Sequence, residues 1–383
     1  MMTILELPDD VLEEIFCRVP VLSLIRLRST CKRWNMKRLF NDKRFTSNHL
    51  EKAPKQCMAL MLNEFRLCLM RIHNRRFSPI KVKGELSLID PSSSLYQIRI
   101  SQVFHCDGLL LCVTTGDRIP RLVVWNPCTG QTRWIKIDPL SQGATYGLGC
   151  YQDKESNIDY SYKILSGMVY GPYFDIQEPG NYIKEKQEFK IYEMKSNSWR
   201  VLDATLDFII LELDRGVSLK GKTYWIADDI ESLEEYKFLV SFDYSTERFE
   251  HVCLPDQGSR FETLSVSLVG GEKLSVFLQR VFERKINIYV SNKIGDTKVV
   301  SWSKVLAVDL DFYLTEDGRN FLVDEERKVL VCCASEGRVH IVGVDNNVRV
   351  HVVSATPLSL FNYVPSLTQI QQAIGGKRKR GDE

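Results

Sequence analysis

The triplet His105-Cys106-Asp107 sets a base, a thiol nucleophile and a carboxylate side by side, the residue types a covalent acyl transfer would use. Adjacent residues cannot adopt the hydrogen-bonded geometry such a set needs, so the triplet reads as a strand end at a turn. The other histidines, His49, His73, His251, His340 and His351, are far apart in sequence. His340 and His351 fall in neighbouring expected strands, but core or surface histidines are favoured over a metal pair. No G-x-S-x-G, H-E-x-x-H, Walker A or G-x-G-x-x-G pattern occurs, and "GLGCYQ" lacks the third glycine and reads as a strand. The 11 cysteines are odd in number, scattered and without C-x-x-C spacing, which fits reduced, mostly buried thiols and not a disulfide framework or zinc site. The sequence therefore assigns no catalytic residue, no metal ligand and no cofactor.

The elements that would position any site come in two kinds. The length of 383 residues allows a small domain plus a large one, or two to three average domains, and a composition 44% hydrophobic and 26% charged is ordinary for a soluble globular protein. Its longest apolar runs, such as "RLVVW" and "FIIL", are too short to span a membrane, and "MMTILELPDD" lacks the features of a signal peptide. The net charge of +2 hides an asymmetry: residues 26–84 hold 16 Lys and Arg against Asp42, Glu51 and Glu64, and residues 85–374 are acidic overall. The basic residues lie between apolar positions of short elements, so a solvated face is favoured over a nucleic-acid surface.

The first fifty residues have helical period. Leu7-Pro8-Asp9-Asp10 marks a helix start, with proline in the first turn and carboxylates at the positive end of the dipole. Leu12, Ile15, Phe16 and Val19 form one apolar stripe, and Pro20 ends the helix. Ser23 is the expected N-cap of a second helix carrying Leu24, Ile25, Leu27 and Cys31. A third is expected from Ser29–Thr30, with Trp34 and Leu39, and a short fourth around Asp42–Leu50. Such a unit is too small to bury much surface alone. Its surplus apolar stripes must meet a partner or this chain's own large domain, and periodicity does not separate the two.

From about residue 57 the period changes to short β-rich runs. One unit recurs: an apolar strand, then Asp, Asn or Glu, a polar turn, and a strand with a bulky residue. The copies are "LVVWNPCTGQTRWIKI", "FKIYEMKSNSWRVL" and "LVSFDYSTERFEHVCL", with looser ones at "INIYVSNKIGDTKVVSWSKVLAV" and "VHIVGVDNNVRVHVV". Trp134, Trp199, Phe249 and Trp302 mark equivalent positions, spaced by 65, 50 and 53 residues. A further hairpin precedes most copies, giving about four strands in about fifty residues, the signature of a propeller blade. "MALMLNEFRLCLMRI" with "GELSLID…YQIRIS" supplies one more unit, so six fit into residues 57–363. The alternative is a curved or sandwiched sheet with irregular repeats. The recurring aromatics are expected to pack between blades in preference to forming a ligand box.

Two families are resembled. "LPDDVLEEIFCRVPVLSLIRLRSTCKRW" resembles an F-box, through Leu7-Pro8, Leu12, Ile15, Pro20, Leu24, Leu27, Cys31-Lys32 and Trp34, with Thr30 where many F-boxes carry Val. "HCDGLLLCV", "VVWNPCTGQTRWI", "YGLGCYQ", "YKIL", "EFKIYEMKSNSWR", "GVSLKGKTYWIA", "FLVSFDYSTERF" and "NYVPSLTQI" are similar to the type 1 F-box-associated domain of plant F-box proteins, a relative of kelch repeats. Gly270-Gly271 is the one kelch-type glycine pair of the domain. With the repeat count and the glycine-led basic end of the chain, the resemblance gives an expected α+β, multi-domain chain: a three-to-four-helix F-box over 1–50, a linker over 51–56, a six-bladed β-propeller-like domain over 57–367, and a basic, disordered tail over 368–383. It implies a Skp-type adaptor as partner, and through it the cullin and RING subunits of an SCF ubiquitin ligase. The adaptor-binding residues would be Leu7, Pro8, Leu12, Ile15, Phe16, Pro20, Leu24, Leu27, Cys31 and Trp34. The propeller would hold an unknown target protein, and the chain would do no bond chemistry itself. The rivals are a non-degradative adaptor-binding regulator or inhibitor and, behind it, a propeller enzyme.

Two stretches, 171–187 and 227–237, break the repeat. The second clusters Asp228, Asp229, Glu231, Glu234 and Glu235, which form either a solvated loop or an acidic lip for a basic target. Lys377, Arg378, Lys379 and Arg380 follow two glycines and read as a nuclear localisation signal or a solubilising tail, placing the protein in nucleus, cytoplasm or both.

Overall fold

In the computed structural model, the polar residue that ends the recurring strand closes the same turn in the first three copies. The carbonyls of Asn126, Glu193 and Asp243 accept the N–H of Gly130 (2.9 Å), Asn197 (2.9 Å) and Glu247 (2.7 Å), each four residues on. Gly130, Asn197 and Glu247 take positive φ values of 76°, 58° and 56°, the left-handed conformation this tight connection requires. Asn126 and Asp243 also accept the N–H two residues on through their side chains, at 2.8 Å each. A local hydrogen-bond demand thus generates the repeat seen in the sequence and holds the register of the strands on either side.

The structure describes the chain apart from residues 1–6, 31–35, 72–80, 91–97, 116–119, 138–142, 153–159, 171–172, 175–181, 184–185, 205, 212–214, 230–236, 257–260, 281–282, 295–299, 310–319, 335–336, 345–347, 355, 357 and 372–383. The helices are α1 (Asp9–Phe16), α2 (Val21–Thr30), α3 (Met36–Asn41) and α4 (Lys43–Lys52). Two differ from expectation. Helix α2 starts directly after Pro20, whose carbonyl accepts the N–H groups of Ser23 and Leu24, so Ser23 lies inside the helix and is not its cap. It runs through Thr30, and the next helix begins at Met36 instead of Ser29–Thr30. Asp42 caps α4, its Oδ1 accepting the Phe45 N–H at 3.0 Å.

Six antiparallel sheets follow as blades. The first contains β1 (Met58–Asn63), β2 (Arg66–Arg71) and β3 (Lys81–Leu86). The second runs β4 (Arg99–Cys106), β5 (Leu109–Thr115), β6 (Arg121–Trp125) and β7 (Thr132–Lys136). The third runs β8 (Thr145–Gln152), β9 (Tyr160–Tyr170), β12 (Lys186–Glu193) and β13 (Ser198–Val201), with a hairpin of β10 (Tyr173–Phe174) and β11 (Tyr182–Ile183) between its second and third strands. In the fourth, β14 (Phe208–Ile209) and β15 (Val217–Leu219) pair with opposite ends of β16 (Lys222–Asp229), followed by β17 (Lys237–Asp243) and β18 (Arg248–Val252). The fifth is β19 (Phe261–Val269), β20 (Lys273–Arg280), β21 (Lys285–Ser291) and β22 (Trp302–Asp309). The sixth is β23 (Phe321–Asp324), β24 (Val329–Ala334), β25 (Arg338–Val342) and β26 (Val348–Val352). The last strand, β27 (Ser359–Tyr363), pairs antiparallel with β1 and completes the first blade.

That pairing corrects the expected composition of the first unit. "YQIRIS" does not belong to it; Arg99–Cys106 is the first strand of the second blade, and the missing strand comes from the far end of the chain. Pairing the two ends of the domain in one sheet removes the open edge a linear row of blades would leave. The expected disordered tail is also shortened: Thr368 and Ile370 are 9% and 3% exposed, and Gln371 donates to Tyr160 and Ser161. The run Lys377–Arg380 lies outside the described residues.

Six clusters of buried side chains hold the ring, each shared by two neighbouring blades. The marker aromatics Trp134, Trp199, Phe249 and Trp302 stand on β7, β13, β18 and β22, the last strands of their blades. The indole N–H of Trp199 donates to Lys136 O (3.2 Å), and that of Trp302 to Cys253 O (2.8 Å), so each ties its blade to the one before. Their regular spacing is therefore a packing feature. Burying these interblade clusters stabilises the ring by about 25 cal/mol per Å2 of apolar surface removed from water.

Removing residues 359–383 should open the ring between the first and sixth blades, because Leu360 and Tyr363, 2% and 3% exposed, leave their clusters with β27. Urea unfolding followed by circular dichroism should change from one transition to a broad or stepwise one at lower midpoint. A single transition at the wild-type midpoint would contradict this role for β27.

Candidate partner-binding site

The helical unit has two apolar faces, and the structure separates them. The inner face comprises Phe16, Cys17, Val21, Leu24, Phe40 and Phe45, which pack around Leu367 from the far end of the chain. Leu24 is fully buried and Leu367 is 1% exposed. His49, also buried, connects α4 to the turn after α1 by donating from Nε2 to Val19 O at 2.8 Å. Burial holds its pKa below the usual histidine value, an effect partly opposed by the hydrogen bond to Val19. Burial likewise pushes the Cys17 thiol up.

The segment that carries Leu367 is a strap leading from β27 to the helices. Asn126, fully buried, donates from Nδ2 to Ser366 O (3.2 Å) and Thr368 O (2.8 Å). Gln369 Nε2 donates to Phe40 O at 2.7 Å, and the Ile370 N–H donates to Gln131 Oε1 at 2.9 Å. Arg133 donates to Gln371 O, Tyr192 Oη and Asn197 Oδ1. At the turn before β5, an added Cβ at Gly108, where φ is +80°, would lie 2.2 Å from Ser366 Oγ; only glycine lets the strap approach there.

The outer face is a stripe along α1. Pro8 is exposed, and Val11 and Ile15 are 40% and 38% exposed. These positions recur at i, i+3 and i+7 and so share one side of the helix. Glu14 flanks the stripe, its carboxyl held below the usual range by Arg18 and Lys52. Of the residues assigned to adaptor binding from sequence, Pro8 and Ile15 lie on this open stripe. Leu7, Leu12, Pro20 and Leu27 are half-buried, with Leu12 and Leu27 against the inner cluster. Phe16 and Leu24 turn inward, which departs from their expected placement on a partner surface: they pack with Leu367 in the inner cluster. Cys31 and Trp34 lie outside the described residues. Val11 was missed by the sequence reading, although its spacing of four from Ile15 signals a common face.

The acidic stretch that begins at the end of β16 is in part neutralised. Asp228 Oδ1 accepts from Lys237 Nζ at 2.7 Å, its cross-strand partner on β17, and Asp229 also has an interaction partner. Glu231, Glu234 and Glu235 lie outside the described residues. The Cys106 thiol is 3.6 Å from Asp107 Oδ2, with Cys150 beside them. The Cys150 contact raises the Cys106 thiol and burial adds to it; the Cys150 thiol is also raised. Both therefore stay protonated near neutrality, which does not suit a nucleophile.

Leu24→Ala should cost about 2–5 kcal/mol of stability, as large-to-small changes in a filled core do. Ile15→Ser should leave the urea midpoint within error of wild type, and equal effects of the two changes would contradict the division into faces. His49 gives a pH prediction. Its folded pKa lies below the unfolded value of about 6.5, so its contribution is full above that value and is lost as pH falls from there through the folded pKa. His49→Gln should therefore lose less stability than wild type between pH 7 and pH 5, measured by urea unfolding.

The family model described as F-box domain matches residues 4–37, and that described as F-box associated beta propeller domain matches residues 58–370. The chain is 50% identical to the Arabidopsis thaliana F-box protein At3g25460, covering 96% of this chain and 98% of that protein. It is 42% identical to the F-box/kelch-repeat protein At3g44120 of the same plant, over 99% and 100% of the two chains. It is 40% identical to the F-box protein ETP1, over the full length of both. The helical unit joined to a closed ring of blades, together with these matches, makes this chain a member of the plant F-box proteins that carry an F-box-associated β-propeller.

Proposed function

We propose that this chain is the substrate-recognition subunit of an SCF-type ubiquitin ligase. The F-box would bind a Skp-type adaptor, and through it cullin and RING subunits. The propeller would hold a target protein so that its lysines meet a ubiquitin-loaded conjugating enzyme. On this reading the chain contributes proximity, a raised effective concentration of target lysines, and no nucleophile. The observation that carries it is the open stripe of Pro8, Val11 and Ile15 on α1, within the F-box match. An exposed apolar stripe on a helix docked by its other face calls for a partner. The strap would fix that partner relative to the propeller, as a ligase needs if target and ubiquitin are to meet.

The target-binding surface is proposed to include the acidic stretch that begins at the end of β16, through Asp229, Glu231, Glu234 and Glu235, with Asp228 already paired to Lys237. Lys377–Arg380 is proposed as a nuclear address, with the protein active in nucleus or cytoplasm.

Ile15→Asp would bring a charge into the adaptor contact, where burial without a partner costs several kcal/mol. It should weaken binding to purified Skp-type adaptor at least tenfold, about 1.4 kcal/mol. The measurement is a calorimetric titration with circular dichroism beside it. Wild-type affinity in a folded Ile15→Asp variant would refute the reading of this stripe.

A further inference from the structure

Around the axis of the ring, β4, β15, β19, β23 and β27, from five blades, contribute to the wall of a cavity of about 60 Å3. At about 15 Å3 per water centre, it has room for about four waters or one ion of about five heavy atoms. Val103, Phe104, Val266, Phe321 and Leu360 make much of the wall apolar, and no Asp or Glu lines it among the described residues. One cation does, Arg215. It stands where the inner strand of the fourth blade is broken between β14 and β15. The next residue is Gly216, where an added Cβ would lie 2.3 Å from Trp225 Nε1. The backbone therefore runs hard against a fully buried indole at this break.

Arg215 Nη1 is buried without a hydrogen-bond partner. Burial draws its pKa down to about 10, so the guanidinium remains charged near neutrality. His105 lines the same cavity. Its Nε2 accepts the N–H groups of Gly108 (3.0 Å) and Val364 (3.4 Å), which assigns the ring proton to Nδ1. Nδ1 is itself buried without a partner. Burial lowers the His105 pKa to about 4, so the ring is a neutral donor at pH 7. Other polar groups of the wall are committed: Ser267 Oγ donates to Phe321 O at 2.8 Å, and Asn362 Nδ2 donates to Leu268 O.

Among the described residues, two buried unpaired donor atoms and one positive charge without a carboxylate partner thus share one small cavity, on side chains that are half-buried overall. Buried donors in folded proteins are paired, and buried charges are neutralised. Water would satisfy the donors but not the charge. We propose that the central cavity is a binding site for a compact oxyanion, with the Arg215 guanidinium and the His105 Nδ1–H as its donors. The ligand class is inorganic phosphate, sulfate or a small carboxylate. Such an ion would link β4 of the second blade to the break in the fourth, bracing the ring from inside. The site is independent of the adaptor reading, since Arg215 is on the propeller axis and the exposed stripe is on α1.

The test uses the full chain in thermal unfolding and titration calorimetry, with phosphate, sulfate and acetate each added at an ionic strength matched with chloride. At least one oxyanion should raise Tm saturably, and comparison of the three separates tetrahedral from carboxylate ligands. Arg215→Met should weaken its binding at least tenfold and, without anion, melt no lower than wild type, because it removes a half-buried charge with no partner among the described residues. Adaptor binding by this variant should be unchanged. If Arg215→Met does not fold, Arg215→Lys keeps the charge without the fork and should bind the ion more weakly than wild type. The proposal is overturned if chloride matches every oxyanion, or if the folded Arg215 variant binds the ion as tightly as wild type.

Discussion

The antiparallel pairing of β27 with β1 is the constraint on which the rest of the structure depends. Each interblade cluster is shared by two blades, so no blade is complete alone, and a row of six would leave an exposed face at either end. The last strand closes that gap by entering the first blade. Closure also brings residues more than 200 positions apart into contact, such as Asn126 with Ser366 and Thr368. Long-range pairing of this kind carries a loop-closure cost in entropy, offset only when the whole ring has formed. Cooperative folding of the propeller follows from that requirement.

Closure decides what becomes of the helical unit. Because β27 ends beside the second blade, the strap after it passes the β6–β7 turn and reaches α3, where Gln369 bonds to Phe40 O. Leu367 then completes a helical core that four short helices could not fill. The F-box is thus finished by a residue at the opposite end of the chain. Its docking uses one apolar face and leaves the α1 stripe open. A chain built this way has a defined relation between its helical unit and its propeller, in contrast to domains joined by a flexible tether.

The same closure creates the central cavity, where five inner strands meet. Interblade packing is apolar, whereas the axis carries Arg215 and His105. A half-buried charge with no carboxylate partner among the described residues opposes stability, which suits a ligand site, whereas the regular aromatics have partners in the preceding blade. Trp134, Trp199, Phe249 and Trp302 are explained by contacts to the preceding blade. The paired thiols Cys106 and Cys150 are protonated core groups.

What the sequence determined by itself was local. Strand period and the turn chemistry at Asn126, Glu193 and Asp243 specify the hairpins of the blades, because each rests on hydrogen bonds within five residues or on alternation along one strand. The helical period and the order of Leu7-Pro8, Leu12, Ile15 and Pro20 likewise marked the F-box. The tertiary structure decided everything that depends on residues distant in sequence. It assigned "YQIRIS" to the second blade and drew the first blade's last strand from residues 359–363. It turned Phe16 and Leu24 inward and left Val11 and Ile15 outside, a choice periodicity could not make while two apolar faces competed for one core. It also placed Arg215 and His105 in one cavity. Neither carries a local signal, since a missing partner is a property of the closed ring, and no stretch of sequence records which acceptors will be absent after folding.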